Sequence, residues 1–437
     1  MSAKKVWIDI SDISVWAGYH TGTQRVVYQI AKRYRGQPNV DYFVFNPRSN
    51  TFHQHSFDEV IQRVEAAAQE AEAGAPPPKP SKSIRARVMV ARVYQNSPEA
   101  VRKRLTPERR TLIKRVLKKA KRTMRPPQPA VATPTTPAMR FGADDIVLIT
   151  GKAWDYRSFM EALRKDKLDQ HFKIIQVVYD LIPIFFPHLF GLPLFKPYTQ
   201  HMFEVGALSD GLLAISESSK RDMLNYCKGM LIPPPPIDVI RLGDDFAKVE
   251  PVKPGIKSLK PGNFILCCGT VEVRKNHQLL YTAYKEGFRR GLKLPKLVVV
   301  GGKGWYTGDV MYQFTHDPAF RDMVYIGGRS DQELEWLYQN CLLTVYPSVY
   351  EGWGLPIAES LAHGKLCLAS DTSSMTEIAG DLIEYFSPYD TVGCLELLQK
   401  YMDKPTLAKK EAQIQKTYQP VAWDHTFTQV KKFVDKM

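Results

Sequence analysis

The carboxyl-terminal half of this 437-residue chain alternates between short apolar runs and longer amphipathic segments. Each apolar run has the length of a strand buried on both faces, and each intervening segment has apolar residues at helical spacing. We predict strands there at residues 264–268, 296–300, 323–326, 341–346 and 365–369. Alternation of this kind specifies a parallel, doubly wound sheet, in which ligands bind beyond the carboxyl ends of the strands.

The amino-terminal half has a second, less regular set of apolar runs. They predict strands at residues 6–10, 41–45, 146–150, 173–179, 212–215 and 239–242. The chain is longer than one ordinary domain, so we expect two. The predicted division is a Rossmann-like domain at 1–250 with an insert at about 60–140, a Pro- and Gly-rich linker at 251–262, a second Rossmann-like domain at 263–415, and a terminal helix at 416–437.

The most specific motif follows the apolar run 341–346 and occupies residues 348–360, which read Ser-Val-Tyr-Glu-Gly-Trp-Gly-Leu-Pro-Ile-Ala-Glu-Ser. Pro356 suits the first turn of a helix, where its missing N–H has no intrahelical partner to lose. The pattern therefore predicts a strand, a glycine-containing turn and a helix. Glu351 would lie in the turn, and Glu359 within the first two turns of the helix.

These residues have the chemistry to hold a nucleotide sugar. Gly352 and Gly354 leave room for a diphosphate to approach the backbone, and the amides at a helix start carry partial positive charge. Glu359 can accept hydrogen bonds from two vicinal hydroxyls such as those of a ribose, while Glu351 can reach hydroxyls of a transferred sugar. The alternative interpretation is that both carboxylates only suit the helix dipole.

The motif resembles the signature of the retaining family 4 glycosyltransferases of GT-B fold, a Glu-x7-Glu pattern in the setting Glu-Gly-(Phe/Trp)-Gly-Leu-Pro-x-x-Glu. The resemblance covers about residues 264 to 380. It implies two Rossmann-like doubly wound domains facing a cleft, a carboxyl-terminal helix that crosses back to the first domain, and sugar transfer with retention at the anomeric carbon. It adds Trp353 and Leu355 to the donor-binding residues.

The segment that starts at Gly269 and ends in Arg274 and Lys275 follows the predicted strand 264–268. It resembles the family segment whose basic residues bind the donor's phosphates. Breaking the bond to a diphosphate builds negative charge on the leaving oxygen, and fixed cations stabilise that charge. Thr270 stands where a common family version has an additional Arg, so Arg274 does more of the work or a different residue helps. Two solvated charges at a helix start are the alternative, although cations oppose the dipole there.

The dipeptide Tyr179-Asp180 follows the predicted strand 173–179, at a position where many family members have His-Asp. We expect Asp180 to orient the transferred sugar or the incoming hydroxyl, and Tyr179 to hydrogen-bond near the anomeric centre. The other interpretation is a turn in which Asp180 bonds its own backbone.

Two glycine clusters complete the predicted cleft. Thr21-Gly-Thr-Gln-Arg25 resembles the amino-terminal glycine loop of this fold, where Gly22 permits close approach and Arg25 can meet a phosphate. A helix N-cap by either threonine explains the same residues. Gly301-Gly-Lys-Gly304 lacks the Walker spacing, so it predicts a tight strand-to-helix turn beside the donor rather than an ATP-binding loop.

The sequence shows no Asp-x-Asp motif at a suitable strand end and no His, Cys and acid cluster with ligand spacing. We therefore predict no metal and no cofactor beyond the nucleotide sugar as co-substrate. For the chemistry we expect front-face substitution, in which the acceptor hydroxyl attacks from the side of the departing diphosphate and gives its proton to a phosphate oxygen. A covalent intermediate on a carboxylate stays open.

The net charge of +15 is concentrated in one segment. Residues 79–125 contain 17 Lys and Arg against two acids, so the rest of the chain is balanced. Apolar residues at 112, 113, 116, 117, 120 and 124 share one face of a predicted helix, which is typical of an element that binds an anionic membrane surface. A solvated loop is one alternative. Nucleic-acid binding is another, disfavoured by a single aromatic and no base-reading module.

The start of the chain leads into a strand rather than a signal peptide, and no run of about 18 apolar residues occurs. The six cysteines lie mostly in apolar patterns without a Cys-x-x-Cys pair, as expected of reduced core residues. These features predict a cytoplasmic protein, peripheral on the inner face of the cell membrane.

We therefore expect a retaining hexosyltransferase that acts on a glycan or lipid-linked glycan during polysaccharide, lipopolysaccharide O-antigen or capsule assembly. One alternative is a catalytically silent GT-B subunit that anchors a glycan-assembly complex. Another is a nucleotide-sugar epimerase on the same fold.

Overall fold

The computed structural model describes residues 4–14, 22–72, 136–245, 249–304, 306–321 and 324–437. The basic segment 79–125, with its predicted membrane-binding helix, lies outside these residues, as does Thr21 of the amino-terminal glycine loop. Across the ranges that are described, no helix combines the length and the apolar character needed to cross a bilayer.

Two mainly parallel sheets organise the chain. Within the described residues the first sheet contains the strands β1 (Val6–Asp9), β2 (Val40–Asn46), β3 (Thr51–Gln54), β4 (Ala138–Met139), β5 (Ile146–Ile149), β6 (Lys173–Val178), β7 (Gly211–Ala214) and β8 (Ile237–Val239). Their spatial order is β4-β3-β2-β1-β5-β6-β7-β8. Strand β3 pairs antiparallel with both β2 and β4, and the other pairs are parallel.

The second sheet is parallel throughout. Its strands are β9 (Phe264–Cys268), β10 (Lys296–Val300), β11 (Val324–Gly327), β12 (Thr344–Tyr346), β13 (Cys367–Ser370) and β14 (Glu384–Phe386), in the spatial order β11-β10-β9-β12-β13-β14. All five strands predicted for this half are present, and the apolar runs of β9, β10, β12 and β13 are buried along almost their whole length, as expected of strands covered on both faces.

The helices on both faces of the sheets are α1 (Ser11–Ser14), α2 (Gly22–Tyr34), α3 (Phe57–Glu72), α4 (Phe159–Gln170), α5 (Ile182–Phe185), α6 (Leu192–Leu208), α7 (Glu217–Gly229), α8 (His277–Arg289), α9 (Gly308–His316), α10 (Asp331–Asn340), α11 (Leu355–Ala362), α12 (Met375–Ala379), α13 (Thr391–Lys400), α14 (Lys404–Thr417) and α15 (Trp423–Lys436). Helix α10 begins with a capping box in which Ser330 and Glu333 bond each other's backbone amides.

The sequence prediction missed β3, β4 and β14, and it placed β8 too late. Strand β3 returns antiparallel from β2 after a turn that closes with a hydrogen bond from the Asn50 amide to the Asn46 carbonyl. Such short strands at or near a sheet edge need few apolar residues, so they leave a weak sequence signal. Strand β8 starts at Ile237, the first residue after four prolines, because prolines cannot donate to the ladder.

Helix α15 lies on the amino-terminal domain although it ends the chain. The Tyr34 ring of α2 packs edge-on against Phe427, with centroids 4.9 Å apart. Phe433 lies so close to Gly211 of β7 that a Cβ there would meet its ring at 2.6 Å. Where the chain crosses between the domains, the fully buried Asp244 accepts hydrogen bonds from the Tyr418 hydroxyl and the Val421 amide. Asp244 thereby connects the segment after β8 with the segment that leads into α15.

The six cysteines are all free, and five of them are buried. Burial raises the pKa of Cys267 above its ordinary value. It likewise raises the pKa of Cys268 and of Cys367, which also lie in strands of the second sheet. They are apolar core residues, as the sequence predicted.

Candidate active site

A cleft of about 510 Å³ opens between the carboxyl edges of the two sheets. Strand ends of both sheets point into it, which is where ligands bind in open α/β folds. All the residues predicted for chemistry or donor binding line this cleft: Gly22, Arg25, Asp180, Gly269, Arg274, Lys275, Glu351, Gly352, Trp353, Gly354, Leu355 and Glu359.

The Glu351 carboxylate contacts both Arg274 and Lys275 on the side of the cleft that the second domain forms. One carboxylate oxygen lies 2.6 Å from the Arg274 guanidinium and the other 2.6 Å from the Lys275 ammonium. Burial raises the pKa of Glu351, but the adjacent cations outweigh burial and lower this pKa to about 2. The carboxylate is therefore ionised at neutral pH and holds both cations in fixed positions.

Arg274 is anchored on several sides. Its guanidinium lies 2.8 Å from a Glu272 oxygen and donates to the Tyr350 carbonyl at 2.9 Å, in addition to its contact with Glu351. Burial lowers the pKa of Arg274, but Glu351 and Glu272 overcome this effect and raise it. The guanidinium keeps its charge and a fixed orientation towards the cleft.

Lys275 lies between a carboxylate and a phenol. Its ammonium donates to the Tyr346 hydroxyl and to Glu351, and it lies 4.7 Å from the centroid of the Tyr346 ring. Burial lowers the pKa of Lys275, and the neighbouring Glu351 opposes that shift. An ammonium has three donors. Two are used here, so one remains for a group in the cleft.

The turn that holds Glu351 is fixed by the loop after β13. The Ser373 hydroxyl accepts the Glu351 amide at 2.9 Å, and the Ser374 hydroxyl donates to the carbonyls of Glu351 and Trp353 at 3.0 and 2.5 Å. These serines follow the motif by more than ten residues and carry no signal of their own, so sequence reasoning missed them.

Two glycines are required by close backbone approach. A Cβ on Gly352 would lie 2.5 Å from the Tyr179 carbonyl of the other domain. Gly301 has φ of 159°, and a Cβ there would lie 1.9 Å from the Gly269 carbonyl. Both positions therefore exclude any larger residue. Gly301 also follows β10 in the tight turn that the sequence predicted, and it lines the cleft.

Glu359 lies on α11 and lines the same cleft. The Tyr338 hydroxyl donates to one of its oxygens at 2.7 Å. The guanidinium of Arg25, which belongs to α2 of the amino-terminal domain, lies 3.6 Å from the other. The carboxylate is thus reached from both domains at the point where the motif predicts the ribose.

Asp180 lies in the cleft and also forms the self-bonded turn that the sequence left open as the alternative. It lines the cleft, and its Oδ1 also accepts the Ile182 amide at 3.0 Å, which is the self-bonded turn. Burial raises the pKa of Asp180, and the nearby Arg274 opposes this. Tyr179 also lines the cleft, but its hydroxyl donates to the buried Thr150 carbonyl and is therefore already bonded to the backbone of its own domain.

Contacts between the domains surround the cleft. The Tyr350 hydroxyl donates to Asp222 of α7 at 2.8 Å, and the Arg241 guanidinium stacks 4.4 Å from the Trp353 ring. Glu377 of α12 accepts the amides of Glu217 and Ser218, each at 2.8 Å, at the amino terminus of α7. A carboxylate from one domain thus caps a helix of the other.

Sequence reasoning also missed four side chains that complete the site. Three hold predicted residues in place: Glu272, Tyr338 and Tyr346. The fourth, Arg329, lines the cleft after β11. The dipeptide Gly327-Gly328 before it, which resembles the one after β10, was a signal that could have found it.

Residues 251–419 match the family described as glycosyl transferases group 1. The serotype-specific mannosyltransferase WbdA of Escherichia coli is 26% identical over 260 residues, which are 53% of this chain and 29% of that protein. The O-antigen chain mannosyltransferase B of Escherichia coli is 35% identical over 120 residues, 27% of this chain and 31% of that protein. The matched regions thus span less than a third of the length of these curated relatives.

Solved structures resemble this fold over all or part of the chain. HepE from Anabaena, in complex with UDP and glucose, covers 99% of this chain with 100% of its own, at a TM-score of 0.59 and 13% identity. The UDP-forming alpha,alpha-trehalose-phosphate synthase of Burkholderia xenovorans, in complex with glucose-6-phosphate, covers 68% of this chain with 73% of its own, at a TM-score of 0.52 and 13% identity. Two α/β domains that face a cleft, together with the likeness to these structures, show that this chain has the GT-B fold, and its residues 251–419 match the glycosyl transferases group 1 family.

Proposed function

We propose that this chain is a glycosyltransferase that moves a hexose from a nucleoside-diphosphate sugar to a glycan acceptor. The observation that carries this proposal is the convergence of Glu351, Arg274, Lys275 and Glu359 on one wall of the cleft, facing Asp180 on the other. Two carboxylates and two cations match the hydroxyls and the diphosphate of such a donor. We propose mannose as the hexose and an O-antigen or related polysaccharide as the product, because the curated relatives are mannosyltransferases.

We propose that the donor lies with its ribose on Glu359 and its diphosphate beside Gly269, Arg274 and Lys275. As the bond from the anomeric carbon to the diphosphate breaks, the two cations stabilise the charge on the departing oxygen. They supply the positive charge that a metal ion provides in other transferases, so we propose transfer without a metal.

We further propose that the configuration at the anomeric carbon is retained by front-face substitution. The acceptor hydroxyl would attack from the side of the departing diphosphate and pass its proton to a phosphate oxygen. Support comes from Glu351, whose two oxygens are held by Arg274 and Lys275, because a carboxylate paired in this way is a poor nucleophile for a covalent intermediate.

Release of nucleoside diphosphate tests the function. The full chain would be supplied with GDP-, UDP- and dTDP-linked mannose and glucose, each with and without mannose oligosaccharides. We expect release that depends on the acceptor, and a product whose anomeric proton signal shows the configuration of the donor. No release with any pair would identify a silent subunit, and conversion of the donor without an acceptor would identify an epimerase.

Substituting Glu359 by Gln is expected to weaken donor binding by about 10- to 100-fold, because a hydrogen bond to a charged group contributes about 1.5–3 kcal/mol. The amide still accepts from Tyr338, so the fold should persist. Calorimetric titration with the donor measures the change. Glu396→Gln, at an exposed site on α13, serves as the matched control. Equal donor affinity in both variants would remove the ribose assignment.

We propose that the basic segment 79–125 holds the enzyme at an anionic membrane on the cytoplasmic side, near a lipid-linked acceptor. Each Lys or Arg near such a surface contributes up to about 1 kcal/mol. Deleting 79–125 is expected to abolish co-sedimentation with vesicles containing phosphatidylglycerol while transfer to soluble acceptors continues. A companion variant, Leu112→Ser, Ile113→Ser, Val116→Ser, Leu117→Ser, removes apolar residues and keeps the charge. It therefore separates the apolar and the electrostatic contributions to vesicle binding. Undiminished vesicle binding of the deletion variant would reject this role.

A further inference from the structure

A second cavity of about 320 Å³ lies in the amino-terminal domain, between the loop after β5 and helix α6. It is separate from the cleft that holds the predicted donor residues. We propose that this cavity is a second carbohydrate site, which binds a neutral sugar ring of the acceptor glycan at a distance from its reacting end. The inference rests on the proposed function and extends it from the reacting sugar to the length of the acceptor.

The position of the cavity suits that role. Its loop follows the carboxyl end of β5 and its helix follows β6, so it opens at the same sheet edge as the cleft. The Trp154 ring in its lining packs against Tyr179 and Tyr198, with centroids 6.3 and 5.4 Å apart. The Tyr198 hydroxyl in turn donates to the Asp180 carbonyl at 2.6 Å. Trp154 and Tyr198 thus connect the lining of the cavity to Asp180 in the cleft, so the two sites are neighbours in the same domain.

The inner lining is aromatic and uncharged. Trp154 and Tyr156 contribute partly exposed rings, which suit the apolar faces of a sugar. His201 is 5% exposed and is bonded to Gln176, with 3.1 Å between the two nitrogens. Burial lowers the pKa of His201 to about 4, so the ring is neutral at physiological pH. A cavity of this size is at the small end of ligand pockets, which fits one ring rather than a nucleotide.

The rim carries hydrogen-bonding groups of both signs. Arg157, Lys196 and Gln200 are exposed, and Glu204 is partly exposed. Within the described part of the chain, none of these four side chains is hydrogen-bonded or ion-paired to another residue. Donors and acceptors are thus both available to hydroxyl groups. The Glu204 carboxylate disfavours a phosphate as the ligand, because the phosphate would lie beside another negative charge.

The length dependence of the acceptor reaction tests the proposal. The full chain would be assayed with mannose oligosaccharides of about one to five units, and kcat/KM compared between the longest and the shortest. In the double variant Arg157→Ala, Lys196→Ala we expect this ratio to fall about tenfold, while donor affinity and turnover of the shortest acceptor stay unchanged. Lys165→Ala, an exposed lysine of α4 outside the cavity, is the matched control.

Two further measurements keep the test independent of activity. Trp154→Phe keeps an aromatic ring in the core contact and should reduce the ratio less than Trp154→Leu. Saturation-transfer NMR with the longest oligosaccharide and no donor should show sugar protons in contact with the wild-type chain and a weaker signal in the double variant. If the wild type transfers no sugar but still gives this signal, the proposed function is wrong and the second site stands. An unchanged ratio together with an unchanged signal would overturn the second site.

Discussion

The Glu351→Gln variant is expected to lose about 3 kcal/mol of unfolding free energy at neutral pH and nearly all transfer activity. The neutral amide has the same size, so the effect is electrostatic. Breaking a buried ion pair by removing one partner leaves an uncompensated charge and costs about 3–5 kcal/mol. Here one carboxylate serves both Arg274 and Lys275, so its loss frees two buried cations. Their displacement would remove the charge that faces the departing diphosphate.

The pH dependence of this loss has a definite direction. The folded-state pKa of Glu351 is about 2, below the ordinary value of 4.5. Because folding lowers this pKa, the ionised carboxylate contributes its full stabilisation at pH values above 4.5. That stabilisation is lost as the pH falls towards 2. The difference in stability between wild type and Glu351→Gln should therefore be constant from about pH 6 upwards and shrink by about 1 kcal/mol at pH 4.

Urea unfolding at pH 7 and pH 4, followed by tryptophan fluorescence, measures both effects. Glu396→Gln at the exposed position on α13 provides the baseline for an amide substitution. Equal unfolding free energies for wild type and Glu351→Gln at pH 7 would show that the carboxylate does not hold the two cations.

The Lys275→Met variant is expected to lower kcat by about 100- to 1,000-fold while changing donor affinity by much less. Removing one fixed donor from the site of developing charge has an effect of this size in other enzymes. Methionine keeps most of the packing volume against Tyr346 and removes the ammonium. Since Arg274 remains paired with Glu351, the variant should fold, and the loss should be confined to the step in which the leaving group departs.

Pre-steady-state release of nucleoside diphosphate, together with donor binding by calorimetry, separates the two effects. Lys275→Arg retains a cation and should recover part of the rate, because charge rather than shape is what the leaving group needs. A Lys275→Met enzyme that turns over at the wild-type rate would contradict a catalytic role. A loss confined to donor affinity would assign Lys275 to binding alone.

Much of the fold could be predicted because most strands of the second sheet are continuous apolar runs. Strands β9 and β10 are buried along almost their whole length, and their predicted bounds match the structure. Strands β3 and β14 escaped prediction because they are short and partly exposed. The location of the candidate site followed from the same argument, since its residues come directly after strands.

The roles of individual side chains were harder to predict. Tyr179 and Tyr338 are both buried tyrosines near strand or helix ends, yet only Tyr338 reaches a candidate donor residue. The difference depends on the direction in which each ring leaves its backbone and on what packs around it. Sequence spacing specifies neither.

The sequence alone determined the α/β class, the alternation that builds the second sheet, and the presence of Glu351 and Glu359 in a turn and helix after a buried strand. These properties are local, because they depend on apolar periodicity and on glycine and proline at fixed offsets. Only the tertiary structure decided that Glu351 lies between Arg274 and Lys275, residues separated from it by more than 70 positions. Ionic contacts depend on distances of a few ångströms and on burial, which exist only once the loops after β9 and β12 have packed side by side at the edge of the second sheet.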